Sequence, residues 1–336
     1  MIGDAIKDTT VVVPTPILEV RDLTKRFDIR KGFLGRVAHR VRAVDTVSFS
    51  LMKGGTVGIV GESGCGKSTT GRLITRLIEP SEGSVHLRGQ EITKFTGSAV
   101  RMIRRDVQMV FQDPYNSLNP RLSVKDQIAF NLRAQGAPRS EWNGRIEKAL
   151  AGVGLMPMHA ARFPHQLSGG QRQRVSIARA IANDASVLIA DEPVSALDKS
   201  VQAQVLNLLQ DLRTEMGLSM VFISHDLNVV RYMSDIIAVM YLGKIVEMGP
   251  AEDVYKRSMH PYTRSLLASI PSTKPSERRL STVLEGDLPS PLNIPTGCRF
   301  RTRCPLATTQ CAEIEPALTD QGDNHMVACH NINAAI

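Results

Sequence analysis

The sequence predicts an α/β fold: a largely parallel sheet covered by helices on both faces, with a small Cys-containing extension at its C-terminal end. Three observations predict it. Short apolar runs at residues 57–60, 107–111, 187–190 and 220–223 alternate with longer helical stretches. The Gly-rich run GESGCGKST, residues 61–69, joins the first of these strands to a helix. After about residue 255 the texture changes, with prolines at 261, 271, 275, 289, 291, 295, 305 and 316 and four of the five cysteines. A chain of 336 residues suits one large domain and an appendage.

Taken in order, residues 1–16 read as a flexible N-terminus, and residues 17–30 as a strand with partial alternation. Residues 31–42 are a Gly- and Arg-rich connection carrying Lys31, Arg36, His39, Arg40 and Arg42 and no acidic residue. It reads as a solvated loop, and its charge would also suit anionic lipid headgroups. Residues 57–60 form a buried strand, followed by a helix over 69–78 that Pro80 closes. The strand at 107–111 leads into a polar, helical region over about 113–180. The strand at 187–190 ends in Asp191 and Glu192, an amphipathic helix covers 201–216, and the strand at 220–223 ends in Ser224 and His225. Residues 236–242 and 244–248 form a hairpin around Gly243. The division expected is therefore 17–255 for the main domain and 256–336 for the C-terminal one. As separate domains, they are expected to leave each other's ligands alone.

The composition, 42% hydrophobic and 22% charged, excludes a disordered chain. The formal net charge of +8 suits acidic partners without choosing among them. A single Trp, and no basic helix with interleaved aromatics, argue against nucleic acid as a partner. No apolar run reaches the roughly 20 residues a transmembrane helix needs. The N-terminus lacks a basic start followed by an uninterrupted apolar core, so the protein is expected to stay in the cytoplasm and to meet a membrane through a partner.

The run at 61–69 has the spacing GxxxxGK(S/T) in strand–loop–helix context. Gly61, Ser63, Gly64, Cys65 and Gly66 let backbone amides close around phosphate oxygens, Lys67 reaches the terminal phosphates, and Ser68, followed by Thr69, offers a hydroxyl to Mg²⁺. Cys65 reads as a tolerated small residue, or as a thiol made reactive by the adjacent helix start. Asp191 and Glu192 emerge at the C-terminal end of a buried strand, where open α/β sheets place their sites. Asp191 can hold Mg²⁺ through water and Glu192 can polarise an attacking water. The run LSGGQ, with Ser168, Gly169, Gly170 and Gln171, precedes a helix and sits about twenty residues before the acidic strand end; alone, Ser-Gly-Gly is a common loop.

With these three motifs in this order, the chain resembles the ATP-binding subunits of ABC transporters across roughly residues 17–336. The resemblance implies a P-loop ABC ATPase core with antiparallel β and helical subdomains. It implies that Gln112 senses Mg²⁺ and the membrane partner, that His225 contacts the γ-phosphate, that Asp198 in the run SALD crosses a dimer interface, and that Phe27 stacks on adenine. It also implies that Ser168–Gln171, opening a helix, form a second anion cradle that acts in trans, so that two subunits facing head to tail are needed to complete two ATP sites.

The runs DPYNSLNPR (113–121), HPYT (260–263) and GCRFRTRCP (297–305) resemble those of dipeptide and oligopeptide importers, in particular the F-type member of the paired D and F subunits. The partners implied are a D-type ATPase subunit, two transmembrane permease subunits and, indirectly, an extracytoplasmic solute-binding protein, with this chain peripheral on the cytoplasmic face of the membrane. Nickel chelates, glutathione and opine-like solutes belong to the same subfamily's range, and a non-transport ABC switch is the rival reading. Cys298, Cys304, Cys311 and Cys329 have the spacing C-x5-C-x6-C-x17-C, which does not itself name a metal. The resemblance implies a 4Fe–4S cluster; zinc, with His325 or His330 substituting as a ligand, and free thiols or a disulfide are the alternatives.

Overall fold

The computed structural model describes residues 15–31, 36–270 and 289–333. Most of the N-terminal segment read as flexible lies outside them. Among the described residues the strands are β1 (Leu18–Lys31), β2 (Arg36–Leu51), β3 (Thr56–Val60), β4 (Glu82–Leu87), β5 (Gln90–Glu91), β6 (Val107–Val110), β7 (Val187–Asp191), β8 (Ser219–Ser224), β9 (Ile236–Tyr241), β10 (Lys244–Pro250), β11 (Thr319–Asp320) and β12 (Met326–Val327). They form two sheets. The smaller has the order β2-β1-β4-β5 and is antiparallel; the larger has the order β11-β12-β10-β9-β3-β8-β7-β6.

Strands β9, β3, β8, β7 and β6 run parallel, each to its neighbour. Their continuous apolar sequences follow from burial on both faces. Along β7, Val187 and Ile189 enter the core beneath the antiparallel sheet, whereas Leu188 and Ala190 enter the core shared with the helical region. That period of two distributes one strand between two cores. The helical region follows β6 and includes the helices Val124–Ala134, Trp142–Gly152 and Gly169–Ile181.

Two sequence expectations are revised. Residues 36–42 of the basic stretch are not an open loop: β2 starts at Arg36, and Ile29 pairs with His39, Asp28 with Arg40 and Phe27 with Val41 in an antiparallel ladder. The ladder, supplied by β1, organises a segment whose own composition looks irregular. The helix expected over 69–78 spans Lys67–Ile74, because Thr75 and Arg76 already fold back onto its last turn and Arg76 has a left-handed φ of 55°. Across residue 255, where composition suggests a boundary, the larger sheet is continuous. Met248 of β10 pairs with Met326, and Glu247 with Val327.

Candidate functional site

The phosphate loop leaves the C-terminal end of β3, which lies between β8 and β9. Its glycines are required by close approach. A Cβ on Gly66, whose φ is 109°, would lie 2.1 Å from the carbonyl oxygen of Ala43, and one on Gly61 would lie 2.1 Å from that of Met240. Lys67 opens the following helix and is buried, and its Nζ donates to the carbonyls of Gly61 (2.7 Å) and Glu62 (2.9 Å). This holds the ammonium across the loop. Ser63 and Gly64 are exposed at the rim, and Thr69 is in the first turn of the helix. Cys65 is 1% exposed, and burial pushes its thiol pKa up, so the reactive-thiol reading of Cys65 is not supported.

Neighbouring strand ends supply the acidic and polar groups. Asp191, the last residue of β7, is buried, and its Oδ1 accepts from Ser68 Oγ at 2.8 Å. Burial raises its pKa above the ordinary carboxylate value; the Ser68 hydrogen bond opposes that and the adjacent Glu192 adds to it. A buried carboxylate beside a serine hydroxyl is a hard-oxygen donor pair, which fits Mg²⁺. Glu192 turns the chain sharply, with a φ of 45° and its N–H donating to Ile223 O at 2.9 Å. That turn brings Oε2 to 2.9 Å from Gln112 Nε2 and 3.2 Å from His225 Nδ1. Residues from the ends of β6, β7 and β8 thus meet on one carboxylate oxygen.

The run Ser168–Gln171 is also locally built. Ser168 caps the helix Gly169–Ile181: its Oγ accepts from Gln171 N (3.2 Å), and Gln171 Oε1 accepts from Ser168 N (3.0 Å). Gly170 allows the helix Lys199–Met216 to approach, since a Cβ there would lie 2.6 Å from Val201 Cγ1. Asp198 stands at the start of that second helix without capping it through its side chain. Phe27 is 41% exposed, with Lys25 Nζ 5.2 Å from its ring centre. Phe27 pairs with Val41 on β2.

The sequence gives no sign that the C-terminal segment reaches this site. Glu62 Oε2 and Oε1 accept from Arg303 Nη1 and Nη2 at 2.8 and 2.9 Å, and Glu62 N donates to Tyr262 Oη at 2.9 Å. Arg299 is buried and pairs with Asp45 and the carbonyl of Leu242. Ion pairs and hydrogen bonds thus join the C-terminal segment to the phosphate loop itself.

The four late cysteines lie in one neighbourhood. Burial pushes the Cys298 thiol up to about 11, and Cys311, Cys304 and Cys329 each add to that rise. Burial also raises Cys304 and Cys329. Amide N–H groups face sulfur: Asn331 N is 3.3 Å from Cys329 Sγ and Asn331 Nδ2 is 3.7 Å from Cys311 Sγ. Among the described residues no three His, Cys, Asp or Glu side chains are arranged to hold a metal ion. The histidines proposed as substitute zinc ligands are engaged elsewhere, His325 Nε2 with Glu247 (2.8 Å) and His330 Nε2 with Ile314 O (3.0 Å).

Comparison with known proteins agrees with this geometry. The family described as ABC transporter matches residues 44–195, and the oligopeptide/dipeptide transporter C-terminal region matches residues 246–311. The oligopeptide transport ATP-binding protein AppF of Bacillus subtilis (strain 168) is 51% identical over 94% of this chain and 97% of its own length. The di/tripeptide transport ATP-binding protein DppF of Pseudomonas aeruginosa (strain UCBPP-PA14) is 47% identical over 94% of this chain and 97% of its own. Among solved structures, the ATP-binding cassette MJ0796, a dimer bound to ADP and Pi after hydrolysis, is 30% identical with a TM-score of 0.61, covering 70% of this chain and 98% of that one.

Proposed function

The chain belongs to the ATP-binding subunits of ABC transporters, in the oligopeptide and dipeptide branch, and from that premise we propose that it hydrolyses ATP to drive the import of dipeptides or oligopeptides. The observation that carries the chemistry is the convergence of Gln112 and His225 on Glu192 Oε2, one residue beyond the carboxylate that holds Ser68. In this reading Lys67 and the loop amides bind the phosphates. Ser68 and Asp191 hold Mg²⁺, which when bound neutralises phosphate charge. Glu192 accepts a proton from the attacking water, while Gln112 and His225 fix the carboxylate that does so.

No helix among the described residues is long and apolar enough to cross a membrane. Binding to two membrane permeases on the cytoplasmic face, with a solute-binding protein beyond them, is part of the proposal. So is a D-type partner. The side chains of Ser168 and Gln171 bond within their own segment and to His159, and a facing subunit would bring this run to an ATP site. Phe27 is assigned to adenine stacking on its exposure and on the family resemblance.

We assign the four cysteines to a 4Fe–4S cluster. Four neighbouring thiols with N–H donors facing two of the sulfurs support it, and the four thiolates would hold the cluster. The test of the ATPase assignment is Glu192→Gln in the assembled transporter. Nucleotide binding is expected to survive while hydrolysis falls by about 10²–10⁴-fold; near wild-type turnover would remove Glu192 from its role.

A further inference from the structure

Glu62 is an unspecified position of the GxxxxGK(S/T) pattern, yet each of its polar groups is fixed. Its carbonyl accepts from Lys67 Nζ, its N–H donates to Tyr262 Oη, and its carboxylate takes both terminal nitrogens of Arg303. Two of these three anchors come from the C-terminal segment. The Arg303 side chain is 6% exposed and that of Glu62 24% exposed, so the fork is partly shielded from water. Tyr262 is fully buried, with its ring 4.6 Å from that of Tyr241 and 5.4 Å from that of Phe300. Tyr241 ends β9, the strand beside β3, so the hydroxyl on Glu62 is held by the core sheet and by the Cys298–Cys304 turn together.

The same turn grips the other end of the loop. Arg299 binds Asp45 and the Leu242 carbonyl. Gly243 N donates to Cys65 O at 2.8 Å, and Asp45 N donates to Gly243 O at 2.9 Å. The phosphate loop is therefore clamped at Glu62 directly and at Cys65 through Gly243.

We propose that Arg303 and Tyr262 are positioning residues for ATP: by fixing Glu62 they hold the phosphate loop in its binding shape, and they place nucleotide affinity under the control of the Cys-bearing segment. Neither residue touches the reacting atoms. They lower the cost of ordering the loop, and that benefit is realised on binding rather than in the chemical step. The inference rests on the ATP-site reading above.

The test is ATP hydrolysis and MgATP binding by the purified transporter carrying Arg303→Ala, Arg303→Lys, Glu62→Ala, Tyr262→Phe and the double variant Glu62→Ala/Arg303→Ala. Loss of the fork is expected to raise KM and Kd for ATP about tenfold while kcat stays within about twofold. Arg303→Lys, which keeps the charge but not the fork, falls between, and Tyr262→Phe gives a smaller rise. The double variant is expected to match the single ones, since both remove one interaction. Glu62→Ala alters a rim residue, so it decides the matter if an Arg303 variant does not fold. KM within about twofold of wild type in both Glu62→Ala and Arg303→Ala, or fully additive effects in the double variant, would overturn the proposal. Wild-type transporter that binds no MgATP would instead overturn the ATP-site reading.

Discussion

Ser68 Oγ lies 2.8 Å from Asp191 Oδ1, although 123 positions separate them in the chain. The contact exists because β3 and β7 both flank β8 and both end at the same edge of the sheet. It joins a hydroxyl at the start of a helix to a carboxylate that burial makes reluctant to ionise.

That reluctance gives the first prediction. Asp191 has a folded-state pKa above its ordinary value, so its charge opposes folding once pH exceeds the unfolded pKa. Asp191→Asn removes the charge and keeps an acceptor for Ser68. The thermal midpoint of the isolated chain without Mg²⁺ is expected to stay level or rise, while Mg²⁺-dependent ATP hydrolysis is lost. A clear fall in the midpoint would show that the ionised carboxylate is a net stabiliser here.

Two of the loop glycines with positive φ, Gly66 and Gly64, differ in what surrounds them. Gly66→Ala puts a Cβ 2.1 Å from a backbone carbonyl at φ 109°, so the backbone itself must move. Gly64→Ala, at φ 80°, meets nothing within 4 Å and bears only the left-handed strain. The expected destabilisation is about 3 kcal/mol or more for the first and about 1 kcal/mol for the second, read from urea unfolding. Equal losses would mean that Ala43 can move aside freely.

How much of this is legible in sequence depends on distance along the chain and on chemical type. The phosphate loop and the Asp191–Glu192 strand end are local patterns, and their strand–loop–helix context is written in contiguous residues. Gln112 and His225 are isolated polar residues after apolar runs; family resemblance singles them out, and the sheet order then explains why they meet at Glu192. Glu62 and Arg303 lie 241 positions apart, and each looks like an ordinary surface charge. No periodicity marks the pair. The two-residue strands β11 and β12 are likewise too short to leave a pattern, so a change in composition looks like a boundary where the sheet in fact continues.

His260 adds a pH dependence at the joint between the core and the C-terminal segment. It caps the helix Pro261–Ala268 by accepting from Tyr262 N at Nδ1, so it must be neutral there. Burial lowers its pKa from 6.5 to about 4, against the opposing pull of Glu247, with Arg264 lowering it further. The unfolded chain takes up a proton near 6.5 that the folded chain refuses until about 4. Stability supplied by neutral His260 is complete above that window and is lost as pH falls through it, by up to about 3 kcal/mol. His260→Asn keeps a cap acceptor without titrating, so its unfolding free energy between pH 7 and 5 is expected to fall less steeply than that of wild type. Parallel slopes would place the acid sensitivity elsewhere.

Cys304→Ser tests whether the thiol neighbourhood and the ATP site are one mechanical unit. Cys304 follows Arg303 directly, its carbonyl accepts from Ala307 N, and Arg303 N donates to Phe300 O, so the residue belongs to the turn that presents the fork to Glu62. If four thiolates tie this turn, losing one ligand releases it. Anaerobically purified wild type is expected to carry about four iron atoms per chain, and the variant few or none. The variant is also expected to bind ATP more weakly, in the same direction as Arg303→Ala, and to become more open to limited proteolysis between residue 289 and the C-terminus. These readouts separate the claims. Zinc in place of iron would overturn the cluster assignment and leave the mechanical link standing. Iron lost with unchanged ATP affinity would show that Arg303 holds its place on Glu62 through Phe300 and the aromatic cluster alone, without help from the metal.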